Sequence, residues 1–123
     1  MFTIDFLNVN DAQLQLLCAE KLTAAIDPWE QKVWSFLSHW LDPQVTEITV
    51  YTSGSTGKPR PFVHSKQAMM ASAQATCSFL DITPGQIALL ALPADKIGGM
   101  MMLVRSWLCK LPLVCIPPSA NPL

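Results

Sequence analysis

A chain of 123 residues is long enough for one small domain with its own core. Half of its residues are apolar, 14% are charged and the formal net charge is −1, whereas a soluble domain ordinarily carries about a quarter charged residues. That balance predicts more apolar surface than a small core absorbs, to be met by further structure, by oligomerisation or by a greasy domain alone. The cations are dispersed apart from a short group at Lys58, Arg60 and Lys66, so no nucleic-acid surface is indicated. The longest apolar run, Ile97 to Val104, contains two glycines and stops at Arg105. It falls short of the ~20 residues needed to span a bilayer. The amino-terminal stretch holds Asp5 and Asp11 but no basic region, which predicts no secretory signal and a cytoplasmic chain. Cys18, Cys77, Cys109 and Cys115 have no CxxC pairing and no histidine at ligand spacing. They read as buried free thiols, with no metal or redox motif.

In chain order, Phe2, Ile4 and Phe6 alternate with Thr3 and Asp5, predicting a short strand with one buried face. Asn10 or Asp11 caps a helix to about Ile26, with Leu14, Leu17, Cys18, Leu22 and Ile26 as its apolar stripe. Asp27 at N-cap, Pro28 at N1 and Glu30 at N3 make a capping-box pattern for a second helix. Its wide apolar face is Trp29, Val33, Phe36, Leu37, Trp40 and Leu41, and Asp42-Pro43 stops it. Residues 47–51 and 60–64 read as the two strands of a hairpin. Ser65 caps a third helix to about Leu80, with Met69, Met70, Ala73, Cys77 and Leu80 inward, and Thr83-Pro84-Gly85 turns the chain. The continuous apolar run 87–92 suits a strand covered on both faces. Residues 96–110 read as a helix burying Met100, Leu103, Val104, Trp107 and Leu108, and residues 113–116 as a last strand. The alternation predicts an α/β fold: a small, mostly parallel sheet with helices on both faces and one projecting hairpin.

The tip of that hairpin is the most chemically loaded segment. Thr52-Ser53-Gly54-Ser55-Thr56-Gly57-Lys58-Pro59-Arg60 gathers hydroxyls, glycines and two cations just after a strand. Glycine lets successive backbone N–H groups turn toward an anion, hydroxyls add donors and lysine adds charge, which is the chemistry of a phosphate loop. A Walker A loop is excluded, because only two residues separate Gly54 from Gly57 and prolines follow in place of a helix.

Those residues carry a family resemblance. The run Tyr51 to Arg60, YTSGSTGKPR, resembles the phosphate-loop signature of the AMP-forming adenylation superfamily, which includes acyl-CoA synthetases. Phe62-Val63-His64-Ser65 resembles the strand that follows this loop, and the segment from Leu92-Pro93 to Gly99 resembles the next motif of the family. The wording HSKQAM and KIGGMM is most similar to short bacterial o-succinylbenzoate CoA ligases of menaquinone synthesis. The resemblance implies that an acid attacks the α-phosphorus of ATP to give an acyl adenylate and pyrophosphate, after which coenzyme A takes the acyl group. It implies that Thr52, Ser53, Gly54, Ser55, Thr56, Gly57 and Lys58 bind the triphosphate, with Mg²⁺ held through the phosphates.

Two departures stand out. Arg60-Pro61 replaces the usual Lys-Gly, keeping charge but removing an N–H donor. Lys96 stands where many members place histidine or an aromatic residue, and as a cation it suits a substrate with a second carboxylate. Gly98 and Gly99 either admit an acyl group to the backbone or pack against the sheet. His64 matches the first histidine of a common run and is given a structural role, and nothing recommends His39 for chemistry.

The family's later motifs and carboxy-terminal domain have no counterpart here. The chain therefore reads as a single unit, the amino-terminal portion of a larger adenylation domain, with residues 1–45 as a helical lead-in and 46–123 as its α/β part. Alone it is expected to be inactive, with no catalytic residue and no resident metal of its own. The expected partners are a small-molecule carboxylic acid and either a second copy of the chain or the remainder of the enzyme. The alternative is a stand-alone, non-catalytic nucleotide-binding or assembly module.

Overall fold

The computed structural model describes residues 1–53 and 57–118. The elements run β1 (Phe2–Asp5), α1 (Asp11–Thr23), α2 (Pro28–Trp40), β2 (Glu47–Ser53), β3 (Pro59–Ser65), α3 (Lys66–Phe79), β4 (Ala88–Leu90), α4 (Ile97–Cys109) and β5 (Pro112–Cys115). Local chemistry explains several boundaries. The Asn10 side chain accepts from the Gln13 N–H while the Gln13 side chain accepts from the Asn10 N–H, closing a capping box on α1. Ser65 caps α3 by accepting from the Ala68 N–H. Pro28 does occupy the first position of α2, but Asp27 makes no side-chain cap bond, so the capping box expected there is absent. Lys110 closes α4 in the left-handed region, at φ 58°.

The strands form two sheets among the described residues. The first is ordered β1-β5-β4, with β1 antiparallel and β4 parallel to β5. The second is the antiparallel hairpin β2-β3. The expectation of a mostly parallel sheet is thus met only at β4-β5. The lead-in strand β1 returns to the end of the chain to pair with β5, a contact that alternation of elements along the sequence cannot announce.

Register decides which side chains share a face. Phe2 and Ile4 lie beside Cys115 and Leu113, which lie beside Leu90 and Ala88. This face is covered: Ile4, Leu90, Leu113 and Cys115 are buried. The Phe2 ring stacks on Trp29 at 5.5 Å and Trp34 at 5.4 Å, which docks α2 on the sheet. The other face carries Thr3 and Leu89, and Leu89 is 53% exposed. The apolar run 87–92 is therefore covered on one side only, contrary to the expectation of burial on both.

The core then extends across the helices. α1 packs along α2, and α3 along α4. Trp40 of α2 meets Trp107 of α4 edge-on at 5.6 Å, and the Trp107 Nε1 donates to the Asp11 carboxylate at 2.8 Å, joining α4 to α1. The inward residues read from the sequence of α3 are partly correct: Met69, Ala73 and Cys77 are buried, whereas Leu80 lies beyond the helix and is exposed. The cysteines need the larger correction. Cys77 and Cys109 form a disulfide between α3 and α4, and only Cys18 and Cys115 are buried free thiols.

Candidate functional site

Hairpin β2-β3 is paired in unbroken register from Glu47 opposite Ser65 to Ser53 opposite Pro59. Pairing at Ser53 and Pro59 brings the two ends of the Gly/Ser/Thr segment together. Of the predicted loop residues, Thr52 and Ser53 end β2, Gly57 and Lys58 lead into β3, and Gly54, Ser55 and Thr56 lie outside the described residues. Gly57 takes φ +78° with nothing within 4 Å of where a Cβ would be. Conformation alone calls for glycine there, the requirement expected of a loop that turns N–H groups toward an anion. Thr52, Lys58 and Arg60 are exposed, and among the described residues no carboxylate pairs with Lys58 or Arg60. Both cations are therefore available to an anion from solution.

Two lysines fix this hairpin to the body. At its base, the Lys66 ammonium donates to the Asp42 carbonyl at 2.8 Å and lies 5.5 Å from the centre of the Trp40 ring. Burial holds the Lys66 pKa below its ordinary value, against the opposing pull of Asp42. Nearer the tip, the Lys96 ammonium donates to the Tyr51 carbonyl at 3.3 Å. Lys96 is the N-cap residue of α4, so this bond connects the start of that helix to the strand entering the loop. An ammonium has three donors, and the Tyr51 carbonyl takes one.

The two glycines beside Lys96 differ in their surroundings. A Cβ on Gly99 would lie 2.1 Å from the Pro93 carbonyl oxygen, so α4 can approach the preceding turn only with glycine here. A Cβ on Gly98 would meet only the Leu92 side chain, at 3.1 Å. Packing thus accounts for Gly99, while Gly98 faces a movable neighbour. His64 is half-buried on β3 opposite Ile48.

A separate groove of about 470 Å³ runs between α2, β2 and the turn before α4. Its polar lining includes Lys32, Ser35, His39, Glu47, Thr49 and Asp95, over Phe36 and Met100. Lys32 pairs with Asp95 Oδ2 at 3.3 Å, and Asp95 Oδ1 is buried without a partner. Among the described residues none of the loop positions lines this groove. Sequence reasoning gave it no role, because its residues come from segments far apart in the chain. His39 has no neighbour in sequence that would have drawn attention to it.

Comparison with known proteins places the chain as a whole. The AMP-binding enzyme family matches residues 7–123. A 2-succinylbenzoate–CoA ligase of Salmonella typhimurium is 39% identical over 69 residues, covering 56% of this chain and 15% of the ligase. A 2-succinylbenzoate–CoA ligase of Listeria monocytogenes is 27% identical over 129 aligned positions, covering 92% of this chain and 28% of the ligase. The crystal structure of an AMP-forming acyl-CoA synthetase/AMP-acid ligase II-like protein from Dyadobacter fermentans superposes with a TM-score of 0.76 at 32% identity. That match covers 99% of this chain and 32% of the synthetase. The chain thus spans less than a third of the length of these relatives. With the match running over nearly its whole length, the chain belongs to the AMP-binding enzyme family.

Proposed function

We propose that this chain supplies the triphosphate-binding hairpin of an ATP-dependent acid–CoA ligase, and that the acid is 2-succinylbenzoate. The observation that carries the reading is the hairpin itself: strands in full register bring Thr52 and Ser53 on one side and Gly57 and Lys58 on the other to the two ends of one short Gly/Ser/Thr segment. In this reading the backbone and hydroxyls of Thr52, Ser53, Gly54, Ser55, Thr56 and Gly57 hold the β- and γ-phosphates. Lys58 offsets the charge that grows on pyrophosphate as it leaves. The donor set also suits a magnesium nucleotide: the loop offers N–H groups, hydroxyls and a cation but no carboxylate. Mg²⁺ would therefore be held through the phosphates, where it neutralises charge. Coenzyme A serves as the acceptor of the acyl group in the assembled enzyme, as the names of the relatives imply.

The substrate assignment rests on Lys96 together with the names of the Salmonella and Listeria ligases. Its ammonium is exposed, tethered to the loop-bearing strand and retains free donors for the second carboxylate of a dicarboxylic acid. Gly98, exposed one position beyond Ile97 on the same helix, would face the acyl body, while Gly99 serves packing. Saturation-transfer NMR tests this. 2-Succinylbenzoate should receive magnetisation from the chain, benzoate far less, and Lys96→Ala should reduce the 2-succinylbenzoate signal several-fold. Equal signals from both acids, or an unchanged signal in Lys96→Ala, would remove the substrate assignment and leave the hairpin reading intact.

A further inference from the structure

The four cysteines divide into two pairs of opposite character. Cys18 and Cys115 are each 0% exposed, and burial pushes their thiols up to about 11 and about 12. They are shielded and un-ionised at neutral pH. Cys77 and Cys109 instead sit in the last turns of α3 and α4, joined to each other. Cys77 is buried, Cys109 is only half-buried, and both line a groove of about 310 Å³ with Gln74, Ser78, Leu108 and Lys110. The backbone converges at the same place. The Ile82 N–H donates to the Cys77 carbonyl, and the Gly85 N–H donates to the Lys110 carbonyl. The opposite ends of these helices hold the hairpin: α3 begins where β3 ends, and Lys96 at the head of α4 binds the Tyr51 carbonyl.

We propose that Cys77–Cys109 is a reversible thiol-modification site, opened and closed by exchange with a low-molecular-weight thiol of the glutathione type that enters through this groove. A disulfide with both sulfurs enclosed resists exchange, whereas one with an accessible sulfur exchanges readily. In the opening direction the thiolate of the small molecule attacks Sγ of Cys109, the less buried residue of the pair. A new S–S bond forms on Cys109, the Cys77–Cys109 bond breaks, and Cys77 leaves as a thiolate that takes up a proton. A second small thiolate then attacks the small molecule's sulfur in that mixed disulfide. This produces the small-molecule disulfide and frees Cys109 as a thiolate, which is protonated in turn. The two electrons come from the two small thiols, and closing is the reverse sequence. Lys110 at the rim supplies a cation for the carboxylates that glutathione-type thiols carry. Cys18 and Cys115, lying away from the groove, take no part.

The test equilibrates the purified chain across a series of reduced-to-oxidised glutathione ratios, then alkylates it under denaturation and maps the modified peptides. The proposal predicts two alkylated thiols at the oxidising end, at Cys18 and Cys115, passing to four at the reducing end. It predicts that Cys77→Ser takes up glutathione on Cys109 while Cys18 and Cys115 remain unmodified. Four alkylated thiols at every ratio would overturn it. A pair that stays oxidised at the most reducing ratio, or a linkage through Cys18 or Cys115, would do the same. The wild-type series needs no substitution, so it decides the matter even where Cys77→Ser fails to fold.

Discussion

Gly99 turns its backbone onto the carbonyl of Pro93, and an added Cβ would meet backbone atoms at 2.1 and 2.7 Å. Neither atom belongs to a flexible side chain, so α4 must move for alanine to fit. Gly99→Ala should cost about 2 kcal/mol or more in urea unfolding, and Gly98→Ala, which meets only the Leu92 side chain, clearly less. Equal losses at the two positions would refute this account of the glycine pair. The buried thiols give a second expectation. Cys18 and Cys115 have folded values near 11 and 12 against an ordinary 9.0, because burial disfavours the thiolate. A group whose value is raised on folding contributes stability that is complete below its unfolded value and is lost as pH climbs through the folded one. Stability should therefore fall from about pH 9 toward pH 11–12, and Cys115→Ala should flatten that slope in urea titrations at stepped pH. At this scale the sequence exposed residue types but not their partners. Lys96 and the glycine pair stood out as departures or motif positions, yet Lys96 reaches a carbonyl 45 residues away, which no local pattern encodes.

Hairpin β2-β3 behaves as an element that depends on its anchors. A two-stranded ribbon is marginal by itself, and nearly all of β3 is exposed, with Phe62 at 50% and Val63 at 57%. What holds it is one inward row, Ile48 and Val50, together with Lys66 and Lys96. Lys66→Met removes the bond to the Asp42 carbonyl and the cation over Trp40, and should destabilise the fold by about 1–2 kcal/mol. Hydrogen exchange should quicken across residues 47–65 but not within α1. Unchanged exchange in the hairpin would show that the lysine is dispensable there. Helices were the most legible elements, because their apolar faces repeat at helical spacing and Pro28 and Ser65 mark their starts. The prolines after the loop read as excluding a helix, and the strand read at residues 60–64 already held Pro61; β3 starts one residue earlier and takes in Pro59 as well. The strand tolerates them because a two-stranded ribbon leaves one edge of each strand unpaired, and proline is confined to such edge strands. The Cys77–Cys109 bond was invisible in the sequence because it arises from the packing of α3 on α4 across 32 residues, without a short cysteine motif.

Across the whole molecule, the excess of apolar residues counted in the sequence has found its places. Tyr51, Phe62 and Val63 are exposed on the hairpin, and Ile87, Leu89 and Leu92 on and around β4. No helix among the described residues is long and apolar enough to cross a membrane. The AMP-binding enzyme family was legible because the resemblance rests on contiguous segments, above all Tyr51 to Arg60, whose residues are neighbours in sequence. The sheet order β1-β5-β4 and the groove at Lys32 and Asp95 were not, because both arise from contacts between distant parts of the chain. The central claim, that the β2-β3 tip holds a nucleotide triphosphate, is tested most directly by titrating the ¹⁵N-labelled chain with ATP and Mg²⁺. Amide shifts should saturate and cluster at Thr52, Gly57 and Lys58 and their neighbours in the hairpin, and Lys58→Ala should abolish saturation without unfolding the chain. No shift in the hairpin at millimolar nucleotide, or equal saturation in Lys58→Ala, would contradict it.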